Sequence, residues 1–189
     1  EESNNIQLVE LMRLNGDWKL TFDTHLGGPK QPIYDVLTDW SKSSNDSVKY
    51  YSGIASYERS FDCPKDPKAK RIFIDLGRVK NMASVYLNGQ NLGTVWTAPW
   101  RIDVTEAIKE KNNQLKIKVA NLWINRLIGD QAFTDDGIKG DLWPEWLLQG
   151  KPRDSKRITF TTFNPYNKND TLRSSGLLGP VSILQALDK

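Results

Sequence analysis

The chain has 189 residues, 38% hydrophobic and 26% charged, with 7 Trp, 6 Tyr and 6 Phe. It is long enough to bury a full core without staples, and too aromatic and too balanced in charge to be disordered. The net charge of +3, from 26 Lys and Arg against 23 Asp and Glu, is spread without long tracts, which argues against a nucleic-acid partner. The lone Cys63 excludes an internal disulfide, and no apolar run approaches the ~18 residues of a membrane span.

Residues 1–14 read as a lead-in, helical or irregular, that belongs to an upstream neighbour's interface; residues 15–189 read as one domain. Trp18, Leu20 and Phe22 alternate with polar residues after the turn Asn15-Gly16-Asp17, the period-2 pattern of a half-buried strand. Residues 35–40 offer a second extended stretch. Residues 48–61 form the longest strand-like segment, with Gly53 marking a bulge or a close approach. Residues 71–77 and 83–87 follow as strands, and Asn88-Gly89 then predicts a tight hairpin, because both residues accept the positive φ of a type I′ turn. Residues 92–96 and 101–104 return as strands, and Asp103 or Thr105 caps one helical turn over 103–109. In residues 114–120, Leu115, Ile117 and Val119 alternate with charged or polar neighbours, as an antiparallel strand with one wet face should. Residues 157–163 and 181–187 are the last strand candidates, after a long irregular stretch over 122–156. Nine or ten strands and almost no helix make an all-β fold, a two-sheet antiparallel β-sandwich of jelly-roll type.

Catalytic chemistry is sparse. His25 is the only histidine, and it lies beside Gly27-Gly28 with no nucleophile context. No Gly-x-Ser-x-Gly elbow, phosphate loop or dinucleotide fingerprint is present. One His and one Cys leave no zinc set. Asp130, Asp135, Asp136 and Asp141 cluster in the long loop; a structural calcium is the one ion they would suit, although solvated loop acids explain them better. No other cofactor is implied.

The most specific stretch runs Val85-Tyr-Leu-Asn-Gly-Gln-Asn-Leu-Gly-Thr-Val-Trp-Thr-Ala-Pro-Trp100, through Asp103-Val-Thr, into Asn113-Gln-Leu-Lys-Ile-Lys-Val-Ala-Asn121. It resembles the galactose-binding-like, sugar-binding jelly roll of glycoside hydrolase family 2. Gly16-Asp-Trp18, Leu37-Thr-Asp-Trp40, residues 49–57 and 121–130, Trp143-Pro-Glu-Trp146 and Ser175-Gly-Leu-Leu-Gly-Pro-Val181 more closely resemble the C-terminal β-sandwich of family 106 α-L-rhamnosidase-like proteins. The resemblance implies a non-catalytic domain of a larger hydrolase that acts on plant or microbial polysaccharides. Its partners would be carbohydrate and the catalytic domain of the same parent chain, with neither nucleic acid nor membrane. The setting would be extracytoplasmic, in a bacterial periplasm or at the cell surface. The catalytic acid and base of such enzymes lie in a separate barrel, so no catalytic residue is carried over.

Sugars present flat C–H faces and a rim of hydroxyls, so a site needs exposed rings with a few oriented polar groups. Strand aromatics such as Trp18, Phe73 and Tyr86 read as core. Trp100, Trp143 and Trp146, with Asn125, Arg126, Asp130 and Glu145, are the loop residues of the right types. The expectation is that 96–101 and 122–156 meet at one end of the sandwich and converge there. Two readings stay open: a carbohydrate site, or rings that plug the sandwich end and pin the loop while the domain packs on the catalytic barrel.

Overall fold

The computed structural model describes residues 7–16, 18–64, 69–161, 163 and 165–187. Twelve strands are formed among them: β1 (Gln7–Arg13), β2 (Trp18–Phe22), β3 (Ile33–Asp35), β4 (Ile54–Phe61), β5 (Arg71–Asp75), β6 (Arg78–Lys80), β7 (Met82–Leu87), β8 (Gln90–Val95), β9 (Arg101–Asp103), β10 (Asn113–Ala120), β11 (Gly176–Gly179) and β12 (Ser182–Leu187). Three short helices accompany them: α1 (Asp46–Lys49), α2 (Ile124–Asp130) and α3 (Glu145–Leu148). The strands build a four-stranded sheet, β1-β12-β5-β9, a six-stranded sheet, β3-β2-β4-β10-β7-β8, and a small ribbon, β11-β6. All these pairs are antiparallel. The architecture is the expected antiparallel sandwich.

The register explains the core. Leu20, Tyr57, Ile117 and Val85 form one lateral row across β2, β4, β10 and β7, and all four are buried. Because side chains alternate across a sheet, the row one residue away faces the opposite side. Ile72, Ile74 and Ile183 supply the facing layer from the four-stranded sheet. Trp40, Phe22, Tyr51 and Tyr57 interlock beneath the loops, Trp40 lying 5.3 Å from Phe22 edge to face and stacking 6.2 Å from Tyr57. The Tyr57 hydroxyl accepts from the Leu177 amide at 3.0 Å, and burial pushes its phenol well above the ordinary range.

The Asn88-Gly89 hairpin forms with φ of 53° and 85°. Asn88 also donates to the Ala107 carbonyl at 2.7 Å and accepts from the Gln114 amide, tying the hairpin to the turn before β10. The Asp103 carboxylate receives the Thr105 amide at 2.9 Å and so opens that turn. Residues 96–100 cross from the six-stranded to the four-stranded sheet. At Gly53 the close-approach reading applies, since a Cβ there would lie 2.6 Å from Leu26.

Several expectations are corrected. The lead-in is no helix: over its described part it is β1, paired with β12, and a register shift between Glu10 and Met12 lets both Leu11 and Met12 pack on the core. That bulge hides the period-2 pattern. Residues 35–40 are extended only at the end of β3; Trp40 opens a single 3-10 turn capped by Asp39. The front of residues 48–61 is α1, capped by Asn45, and the strand starts at Ile54. The described residues of 157–163 form no strand; the Ile158 and Thr159 amides bond to the Asp130 carboxylate instead of to a neighbouring strand. Of the core aromatics expected, Trp18 is fully buried, whereas Phe73 and Tyr86 sit on the outer sheet faces, half-buried. Ile6, Asp17 and residues 65–68 and 162 lie outside the described residues.

Candidate functional site

β10 ends at Ala120, and the next residues anchor the long connection. The Asn121 side chain accepts from the Gly53 amide at 2.9 Å and donates to the Tyr51 carbonyl at 2.8 Å. The helix α2 that follows carries three of the expected site residues, all buried. Asn125 donates to the Arg173 carbonyl at 2.7 Å and accepts from its amide at 2.8 Å, clamping the chain that leads into β11. Arg126 pairs with Asp130 at 3.0 Å, one helical turn on. The second Asp130 oxygen accepts the Ile158 amide at 3.0 Å and the Thr159 amide and hydroxyl at 2.7 Å each. Two side-chain clamps, Asn125 on Arg173 and Asp130 on Ile158 and Thr159, thus hold two stretches of chain that have no sheet to satisfy their amides.

Trp143 and Trp146 meet over Phe160, at ring separations of 6.4 Å and 5.9 Å. The Trp146 indole donates to the Asp136 carbonyl at 3.0 Å. Arg153 forms a two-pronged bond to the Asp136 carboxylate at 2.6 and 2.8 Å, donates to the Thr159 carbonyl at 2.8 Å, and lies 5.8 Å from the Trp146 ring. That hydrogen bonding holds the Asp136 carboxyl below its ordinary range. The two groups therefore share residues 158–160: Asp130 grips the amides of 158 and 159, and the tryptophans grip Phe160. Trp143 keeps about half its surface exposed, and Glu145 is exposed beside it.

Trp100 stands apart, half-buried against the sandwich core, its carbonyl accepting the Leu76 amide at 2.7 Å. Trp96, at 74% exposure, is the open ring of that loop. Val95, Ala83 and Ala120 are near register neighbours through β7, so residues 96–100 and 121–160 leave the six-stranded sheet at the same end, two strands apart. No side-chain bond joins these two segments among the described residues. Phe160, Arg153 and Asp136 complete the loop cluster; sequence reasoning does not single out the first two and gives Asp136 only as a loop acid. A cleft of about 190 Å³ opens beside Tyr50, Arg126 and Ile158, below the ~300 Å³ at which small-molecule sites begin. Among the described residues no three His, Cys, Asp or Glu side chains converge on a point that would hold a metal.

The model of the glycosyl hydrolase 2 galactose-binding-like domain matches residues 36–137, just over half of the chain. The chain belongs to that family. A provisionally named beta-glucuronidase of Formosa agariphila is 42% identical over 182 residues, covering 93% of this chain and 16% of that protein. A solved rhamnosidase from Novosphingobium sp. PP1Y superposes with a TM-score of 0.78 at 35% identity, covering 95% of this chain and 15% of that one. A beta-glucuronidase from an uncultured Clostridium sp., at 24% identity and a TM-score of 0.50, shares the fold. This galactose-binding-like sandwich thus spans about one-sixth of the curated relative it matches over most of its length, and it occurs as a domain of larger glycoside hydrolases.

Proposed function

We propose that the chain is a non-catalytic accessory domain of a larger, α-L-rhamnosidase-like glycoside hydrolase, and that it contacts carbohydrate through its loop end. The observation that carries this reading is the likeness to the Novosphingobium rhamnosidase, of which nearly the whole chain covers only 15%. Trp143, Trp146 and Glu145 are the groups that would meet a sugar, since an exposed ring offers its face to C–H bonds and a carboxylate accepts from hydroxyls. Asn125, Arg126 and Asp130 would act behind them as positioning residues, because their polar atoms already serve the main chain and each other. Trp100 would contribute from the crossover loop. Hydrolysis belongs to the rest of the parent. A polysaccharide is too large to cross a membrane intact, which supports an extracytoplasmic setting for such an enzyme; separately, among the described residues no helix is long and apolar enough to cross a membrane.

A second reading is favoured by one observation. Leu142, Trp143, Leu147 and Leu148 are 75%, 52%, 40% and 71% exposed within seven residues of chain. So much apolar surface suits packing against the catalytic barrel better than hydroxyl recognition. The test is titration of rhamnose, glucuronate and their oligomers into the chain and into its Trp143→Ala variant. Binding in the millimolar range, about −4 kcal/mol, that the variant loses supports the carbohydrate site. No binding by either, with Trp143 protected only inside the parent enzyme, leaves the packing role. Turnover of an aryl glycoside by the chain alone would overturn both.

A further inference from the structure

We propose that the outer face of the six-stranded sheet is a groove for an acidic oligosaccharide, distinct from the loop end. The register aligns one residue of each strand in a lateral row: Tyr34, Lys19, Glu58, Lys116, Tyr86 and Asn91. This is the row adjacent to the buried Leu20–Tyr57–Ile117–Val85 row, so its side chains face away from the core. Lys118, Gln114 and Ser60 flank it. All of these residues but Asn91 line an open groove of about 840 Å³, over four times the cleft at α2.

The groove has an aromatic wall at each side. Tyr34, on the edge strand, is 67% exposed. Tyr86 lies four strands away, about 19 Å at the ~4.8 Å strand spacing. The distance exceeds a monosaccharide and fits a short chain. Between the rings, Ser60 donates to the Gln114 side-chain oxygen at 2.9 Å, which leaves the Gln114 amide group to face an incoming hydroxyl.

Charge selects the class of sugar. Lys19 and Lys116 both reach Glu58, at 3.3 and 2.8 Å, and Lys118 lies 5.3 Å from the Tyr86 ring centroid. Three lysines thus share one carboxylate, a net excess of two positive charges on the face, and Lys118 has no acidic partner in its rows. A neutral glycan would leave that excess uncompensated, whereas a chain bearing a carboxylate or sulfate every one or two sugars would neutralise it. Duplex DNA fits poorly, because its one charge per ~1.7 Å calls for a dense cationic track. The groove is independent of the loop-end reading, since it lies on a sheet face and shares no residue with that cluster.

The test uses the whole 189-residue chain and three hexasaccharide probes: hyaluronan (carboxylates), chondroitin sulfate (carboxylates and sulfates) and a neutral laminari-oligosaccharide. Calorimetric titration should show an acidic hexasaccharide binding at least about tenfold more tightly than the neutral one. Binding should weaken as salt rises from ~0.01 M to ~0.15 M and the Debye length falls from ~30 to ~8 Å. Tyr34→Ala and Lys118→Ala should each weaken it about tenfold with unchanged melting temperature, and Trp143→Ala should leave it intact. Binding of both acidic probes makes the carboxylate the recognised group, and binding of chondroitin sulfate alone makes it the sulfate. Failure of both acidic probes to bind, equal binding of the neutral probe, indifference to both substitutions, or displacement of the sugar by a DNA duplex would each overturn the proposal.

Discussion

Asp130 shows how one side chain can stand in for a strand. Its carboxylate is fully buried, pairs with Arg126 and accepts three bonds from Ile158 and Thr159. Removing it leaves the Arg126 guanidinium buried without a counter-charge and two amides without acceptors. Asp130→Ala should therefore cost about 3–5 kcal/mol, as for other broken buried pairs, read from the urea midpoint. The titration of the acids adds a second expectation. The Arg153 hydrogen bonds lower the Asp136 carboxyl first, and the Lys116 hydrogen bond does the same for Glu58. A carboxyl whose folded value lies below its unfolded one, about 4, adds stability that is fully present above that value and is lost as pH falls through the folded value. Urea midpoints should hold from pH ~7 to ~5 and drop below ~4, and Asp136→Asn should flatten part of that drop.

The elements that were legible in the sequence are those whose pattern is local. β2 and β10 follow from period-2 alternation, and β7 and β8 follow from the apolar stretches on either side of two residues that tolerate positive φ. β1 was not legible, because its bulge puts consecutive apolar residues on the core, and β6 and β11 were not, because they are short and pair only with each other. Residues 157–163 misled in the opposite sense: their β-forming composition is real, but the acceptor is a side chain 28 residues upstream. The hairpin invites a direct check. Asn88 bonds Ala107, Asn113 and Gln114, so Asn88→Ala should cost about 1–3 kcal/mol while leaving the sheet order unchanged. The loop element behaves separately. Trp146 is only half-buried, so Trp146→Ala should cost less than the about 3–5 kcal/mol of a fully buried tryptophan. Hydrogen exchange should show faster amides over 133–160 and unchanged ones in β4, β7 and β10.

At the scale of the whole molecule, the residue types at the loop end were legible but their division of labour was not. Helical spacing puts Asn125 and Arg126 with Asp130 on α2, yet only the fold shows that 158–159 and 173 come to meet them. The outer sheet face was missed because Tyr86 read as core, and only the pairing of β7 with β10 places it beside Lys116. The apolar residues around α3 carry the remaining expectation. Leu142 and Leu148 are 75% and 71% exposed, and they sit in a chain that makes up about one-sixth of its relatives. Leucines exposed to that extent contribute little to the isolated fold, so Leu142→Ser with Leu148→Ser should change the isolated chain's stability by no more than about 0.5 kcal/mol and should improve its solubility. In the parent hydrolase the same pair should loosen the attachment of this domain. Limited proteolysis would then release the sandwich sooner than from the unsubstituted enzyme, and the domain would melt separately. If the parent melts and cleaves identically with and without the two leucines, this face packs on nothing there, and the exposed rings of the loop end are left for carbohydrate.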